Sequence, residues 1–126
     1  MQLDRLDHLV LTVRDIDASI AFYQKVLGMQ PVTFAGGRHA LAFGAQKINL
    51  HLAGHEFEPK AARPLPGSAD LCFITSMPLA QVRAHIESCG AAILEGPVRR
   101  TGALGSITSL YLRDPDGNLI EVSNYD

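Results

Sequence analysis

Two stretches of this chain run through the same order of apolar and breaker residues. His8 lies twenty residues before Gly28, and Asp70 lies twenty residues before Gly90. In the first stretch, residues 6–13 (LDHLVLTV) are rich in β-branched and apolar side chains and read as a strand. Asp15 or Asp17 is placed to cap a helix, and Ile16, Ile20, Tyr23 and Leu27 share one helical face. Gly28 follows as the residue that ends it. In the second stretch, residues 69–75 read as a strand, and Pro78 sits where a first helical turn tolerates proline. Leu79, Val82, Ile86 and Cys89 then form an apolar stripe that Gly90 stops. A repeated supersecondary unit buries its apolar face against its partner unit, so the repeat limits the fold more than any other feature.

Three strands follow the helix in each copy. In the first copy they are expected near 30–35, 39–44 and 46–52, separated by Gly36-Gly37 and Gly44-Ala45. In the second, a short strand is expected near 91–94. A glycine-rich loop from Gly96 to Gly105 comes next, then strands near 107–113 and 118–123 joined by Asp114-Pro115-Asp116-Gly117. The second copy is about ten residues longer, and the excess is assigned to the 96–106 loop. Residues 53–67 hold three prolines and read as an extended connector. The expectation is a single α+β domain of two βαβββ modules, about 5–52 and 68–124.

With 126 residues, 47% apolar and 19% charged, the chain suits one globular domain and not a disordered segment. A formal charge of −2 gives no footprint for nucleic acid or for an anionic membrane surface. No apolar run is long enough to span a membrane, and residues 1–5 do not resemble a signal peptide; a cytoplasmic protein is expected. Cys72 and Cys89 form no CxxC pair and read as buried thiols. The Asp114–Asn118 run resembles a calcium loop, but its glycine comes fourth where an EF-hand needs it sixth, so it reads as a hairpin turn. Gly102–Gly105 lacks the Lys-Ser/Thr of a phosphate-binding loop, and Ser106 and Ser109 lack a nucleophile elbow.

The chemistry then falls to polar side chains set in apolar strands. His8 lies between Leu6 and Val10 on one strand face, and Glu121 interrupts the last apolar strand. Taken alone, His8 also fits a core histidine satisfied by one hydrogen bond, and Glu121 fits the wet face of an antiparallel strand. Asn49 and His51 are two apart and face the same side. Asp70 holds in the second copy the place that His8 holds in the first. Such a mixed nitrogen and oxygen set suits Mn²⁺, Fe²⁺, Ni²⁺ or Zn²⁺ if the residues converge, within a chain or in a dimer.

The opening Leu6-Asp-His8-Leu-Val-Leu-Thr-Val-Arg-Asp-Ile, with Ala21-Phe-Tyr-Gln-Lys-Val-Leu-Gly28, resembles the start of vicinal oxygen chelate proteins. Those include glyoxalase I, fosfomycin-resistance thiol transferases, methylmalonyl-CoA epimerase, extradiol dioxygenases and bleomycin-binding proteins. Tyr111-Leu-Arg-Asp114-Pro-Asp-Gly117-Asn-Leu-Ile-Glu121 is similar to the last hairpin of that family, and the likeness covers essentially the whole chain. Glu56-Phe-Glu-Pro-Lys-Ala and Arg100-Thr-Gly-Ala-Leu-Gly resemble the glyoxalase domain-containing protein 5 subgroup more closely still.

The resemblance implies modules that curl into half-barrels of curved mixed sheet around a divalent metal, and short members that form homodimers. Its ligand positions fall on His8, Asn49, Asp70 and Glu121. Two of these depart from glyoxalase I, which has a carboxylate where Asn49 stands and a histidine where Asp70 stands. His51 is the candidate for the missing imidazole, giving His8, His51 and Glu121 with Asp70 as fourth ligand or base. The expected catalytic groups are Glu121 first and Asp70 second, on a small oxygenated substrate, in a reaction of lyase, isomerase or thiol transferase type. Arg99, Arg100 and Thr101 are read as a clamp for an anionic substrate, with Asn49 and Tyr111 completing the binding set. Two other readings stand beside this one. One is a metal-free sequestering protein, disfavoured by His8, Glu121 and the lack of tryptophan; the other is a small extradiol-type dioxygenase on the two histidines and Glu121.

Overall fold

The computed structural model describes residues 1–126. The chain divides into two compact units, Met1–Gly67 and Ser68–Asp126. The first contains β1 (His8–Val13), α1 (Ile16–Leu27), β2 (Gln30–Phe34), β3 (Arg38–Phe43) and β4 (Gln46–Leu52). The second contains β5 (Asp70–Ile74), α2 (Leu79–Ser88), β6 (Glu95–Thr101), β7 (Ser106–Arg113) and β8 (Leu119–Tyr125). The repeat is therefore real: each unit is βαβββ, and the class is α+β. No helix is long and apolar enough to cross a membrane.

Each sheet has four strands, in the orders β1-β4-β3-β2 and β5-β8-β7-β6. The first strand of each unit lies parallel to the last, and the other pairings are antiparallel. A parallel pair cannot be closed by a tight turn, so the helix and two strands serve as the crossover. In the first unit, Leu11, Val13, Leu41, Ile48 and Leu50 are buried together with Tyr23 and Val26 of α1, which packs on β2, β3 and β4. In the second, Val82 and Ile86 of α2 are buried with Leu110, Leu112, Ile120 and Val122. The opposite sheet faces carry the polar residues.

Asp15 is the residue that caps α1: its backbone is extended and its Oδ1 accepts from the Ala18 N–H at 3.0 Å. Gly28 closes the helix in the left-handed region at φ 68°. The cap of α2 differs from expectation. Pro78 is the N-cap residue and gives no side-chain bond, and Cys89 is the C-cap residue, not the last rung of the buried stripe. Neither thiol is fully buried: Cys89 is half-buried, and Cys72 is exposed because it lies on the polar face of β5.

The largest departure from the sequence reading is β6. The strand expected at 91–94 lies at 95–101, inside the stretch read as a loop. Arg99, Arg100 and Thr101 pair antiparallel with Thr108, Ile107 and Ser106. Gly96 and Pro97 fall where the register shifts between Glu95 and Val98, on the edge strand, and there a residue without an N–H breaks no ladder bond. Gly96 has a second role. Its φ is +114°, and a Cβ there would run into the Ser109 carbonyl. The extra residues of the second unit are also spread out. The connector after the helix is four residues longer than in the first unit, and the last hairpin loop is three longer.

That hairpin loop is held by one buried carboxylate. Asp114 Oδ1 accepts from the N–H groups of Asp116 and Asn118, both at 2.9 Å, and Oδ2 accepts from Asn118 Nδ2 at 2.7 Å. Asn118 Oδ1 in turn accepts from the Ala69 N–H at 2.9 Å, which sets the start of β5 beside β8. The Asp114→Ala substitution strands these donors, and the expected loss is about 3 kcal/mol of unfolding free energy in urea titration. A loss below ~1 kcal/mol would show that the loop does not depend on this carboxylate.

Candidate metal and substrate site

The register of β1 on β4 sets the first unit's polar face. His8 lies opposite Lys47, Val10 opposite Asn49, and Thr12 opposite His51. Side chains alternate, so these six share one face with Ala40 and Ala42 of β3 and Val32 and Phe34 of β2. His8 and Asn49 are diagonal neighbours, with Cα atoms about 8 Å apart from strand spacing and rise. His8 and His51 are four register positions apart, about 13 Å along the strands. The same-face argument from sequence was right in direction and ignored that distance.

His51 is also engaged elsewhere. Its Nε2 is 3.5 Å from Arg38 Nη2, and its ring meets Phe57 edge-on at 5.5 Å. Burial first, then the Arg38 charge, pushes its pKa below the usual histidine value, against a weaker opposing pull from Glu56. His8 is arranged differently. Its Nδ1 is 2.8 Å from Asp7 Oδ2, and with Nδ1–H donating, Nε2 presents its lone pair to incoming groups. That hydrogen bond is the main reason the Asp7 carboxyl lies below its ordinary range. Asn49 is 6% exposed, and its Oδ1 has no hydrogen-bond partner.

The second unit repeats the diagonal. Asp70 lies opposite Leu119, and Glu121 lies opposite Cys72 on one side and Tyr111 on the other. Asp70 and Glu121 thus stand to each other as His8 stands to Asn49. Ser109 Oγ, fully buried, lies 2.6 Å from Glu121 Oε1 and 2.7 Å from Ser123 Oγ. Ser109 has one hydroxyl proton, which goes to the carboxylate, so Ser123 must donate to Ser109. The Cys72 thiol, 3.5 Å from Ser123 Oγ, is left as the donor to Ser123. The chain of donors runs one way, from Cys72 through Ser123 and Ser109 to Glu121. Partial desolvation of the sulfur on the strand face, helped by the Glu121 and Asp70 charges and opposed by the Ser123 hydrogen bond, pushes the Cys72 thiol pKa up, so the first donor stays protonated.

Tyr111 accepts from Arg100 Nε at 3.1 Å. Its phenol pKa is raised, chiefly by burial and further by the Glu121 carboxylate, against the lowering pull of Arg100. Arg100 also meets Glu95 at 3.3 Å, and Arg99 meets Ser106 and Asp126. Both arginines of the expected anion clamp are thus neutralised by carboxylates. Thr101 pairs with Ser106 at the far end of β6, away from Tyr111, which pairs with Glu95. No group of three or more His, Cys, Asp or Glu side chains that could hold a metal is assembled. The sequence reading missed Ser109, Ser123 and Cys72, whose role appears only with the strand register. It also missed Lys47, which period-two spacing from Asn49 and His51 could have revealed.

The lowered His51 pKa has a sign for stability. The imidazole is harder to protonate in the folded chain than in the unfolded one. Stability is therefore complete above the unfolded value of about 6.5 and falls as pH drops below it toward the folded pKa. The His51→Gln variant is expected to show a flatter fall in Tm between pH 7 and 5 than the parent chain. Parallel slopes would show that His51 does not carry this dependence.

The profile of the Glyoxalase/Bleomycin resistance protein/Dioxygenase superfamily matches residues 5–122. Virulence protein STM3117 of Salmonella typhimurium is 64% identical over 125 residues, covering 99% of this chain and 87% of that protein. Its crystal structure superposes with a TM-score of 0.99 at 63% identity over all of both chains. Glyoxalase domain-containing protein RDO1 of Mycosarcoma maydis is 57% identical over 120 residues, covering 95% of this chain and 68% of that one. An integron cassette protein from the mobile metagenome of V. cholerae reaches a TM-score of 0.98 at 62% identity, with coverage of 100% and 98%. By fold, sequence and extent of match, the chain belongs to the Glyoxalase/Bleomycin resistance protein/Dioxygenase superfamily.

Proposed function

We propose that this chain is a metal-dependent enzyme that acts on a small oxygenated molecule, as a lyase, isomerase or thiol transferase. The ligands we assign to divalent metal are His8 and the Asn49 amide oxygen on the first unit, and Asp70 and Glu121 on the second; no three such side chains are assembled within the chain, so a homodimer is taken to complete the set. The observation that carries the reading is the recurrence of one diagonal pair on the polar face of each unit: His8 with Asn49, Asp70 with Glu121. The donors suit the group. An imidazole nitrogen oriented by a carboxylate, two carboxylates and an unpartnered buried amide oxygen match the mixed preferences of Ni²⁺, Zn²⁺, Mn²⁺ or Fe²⁺. His51 is left out of the set because it lies two register steps beyond Asn49 and is engaged by Arg38 and Phe57.

When bound, such an ion supplies Lewis-acid stabilisation of an oxyanion on the substrate. Glu121 is assigned the proton transfer, with Asp70 second, because the Ser109 hydroxyl holds one of its oxygens and the Tyr111 phenol also hydrogen-bonds its carboxylate. Tyr111 stays protonated at neutral pH and can donate to substrate oxygen. Val10 and Val32, 45% and 38% exposed on the face that holds His8, offer apolar surface to the rest of the molecule. Activity as a homodimer fits this reading, and a chain that is purely monomeric by size-exclusion chromatography would count against it.

Metal analysis tests the proposal. After dialysis against Mn²⁺, Ni²⁺ or Zn²⁺, the parent chain should bind one ion tightly, and His8→Ala and Glu121→Ala should each lose it. His8 lies on the exposed end of β1, so His8→Ala should keep the circular dichroism of the parent. A chain that takes up none of these ions, or variants that both keep them, would leave a metal-free sequestering protein as the better reading. Asp7→Asn, which removes only the orienting carboxylate, is expected to weaken metal affinity about 10–100-fold.

A further inference from the structure

The first unit carries two cations on its polar sheet face that form no salt bridge with a carboxylate; the charge of Lys47 acts on Asp7 at longer range. Arg5, Lys60, Arg83, Arg99 and Arg100 each form an ion pair. Arg38 and Lys47 form none. Lys47 Nζ lies 3.9 Å from the centroid of the Phe34 ring, and the Arg38 guanidinium carbon lies 5.4 Å from the same centroid and 4.5 Å from that of Phe57. The two cations start from distant points. Lys47 is paired with Ala42, while Arg38 is paired with Phe34 at the other end of β3. They reach one ring because Ala40 and Ala42, the residues of β3 that stand between them on this face, are too short to block the lysine stem. Asn49, with its unpartnered Oδ1, lies opposite Ala40.

Two like charges gathered on one ring repel each other, and the ring returns only about 0.5–1 kcal/mol for each at an exposed site. Cation–π contact also leaves N–H donors unused. The guanidinium approaches His51 Nε2 at 3.5 Å, and Lys47 Nζ has no acceptor. The carboxylates that act on this region are Asp7, already held by His8 and Arg5, and Glu56, which acts on His51. We propose that Arg38 and Lys47, gathered on the Phe34 ring, bind the anionic group of the substrate, a carboxylate or a phosphate, on the open face of the first unit. The inference rests on the reading above only in treating this face as the one that meets substrate. It moves the anion site from the β6 arginines, which are paired, to β3 and β4.

Amide NMR titration of the full-length chain with inorganic phosphate and with succinate tests this. Succinamide is the neutral control, and pH and ionic strength are held fixed with excess chelator present. Both anions should give saturable shifts centred on residues 34, 38, 47 and 49, and succinamide should not. Phosphate binding tighter than succinate, or the reverse, separates the two sources of the anionic group. Arg38→Met and Lys47→Met should each weaken binding about tenfold, the effect of one charge-assisted contact, while Lys60→Met should leave it unchanged. Arg38→Gln and Lys47→Gln serve if either methionine variant fails to fold. Equal shifts from succinamide, shifts centred on β6, or undiminished binding in both variants would overturn the proposal. Because chelator is present, anion binding that survives in a chain without metal affinity would reject the metal reading alone. Metal uptake without anion binding would reject this inference alone.

Discussion

Everything in each unit hangs on the parallel pairing of its first strand with its last. The pairing forces a helical crossover, and the crossover covers one sheet face and leaves the other open. It also fixes the register to the residue. A slip of one position would turn His8, Asn49, Asp70 and Glu121 toward the helices and bring leucines and isoleucines into water. The polar residues are thus placed by the same apolar pattern that builds the core, and the site needs no separate device to orient its strands.

The two open faces spend their polar groups differently. In the second unit nearly every donor is committed: Ser123 to Ser109, Ser109 to Glu121, Arg100 to Tyr111 and Glu95. That face is a connected hydrogen-bond network with a carboxylate at its end. The face of the first unit keeps its capacity unspent, with an amide oxygen lacking a donor and a lysine lacking an acceptor. Unsatisfied groups of this kind cost stability, and functional sites are where such a cost is tolerated.

The repeat made the fold legible. Twenty residues from strand start to helix stop, twice over, carried the βαβββ order, and apolar alternation placed β4 at the residues it occupies, Gln46–Leu52. The strand β6 was hidden because Gly96 and Pro97 are breaker residues in any local reading. Only the edge position and the register shift make them acceptable. Part of the proposed site follows from the sequence for the same reason as the fold: His8 and Glu121 break apolar strands, and equivalence of the copies picks out Asp70. The rest was not. That Arg99 and Arg100 are neutralised, and that Arg38 and Lys47 are not, depends on partners far apart in sequence. His51 was overrated because alternation gives the face of a side chain and says nothing of how far along the strand it stands.

The small residues on β3 have a consequence beyond the geometry they permit. Ala40 and Ala42 stand between Val32 and Gln30 on one side and Asn49 and Lys47 on the other, and their side chains are the one part of that strand's polar face with no bonding duty. Ala40 is fully buried, so a larger side chain there would have to push against its neighbours Val32 and Asn49, while the backbone ladder stays as it is. Volume at these two places therefore bears directly on where the polar side chains of the neighbouring strands stand, although neither alanine bonds to any of them.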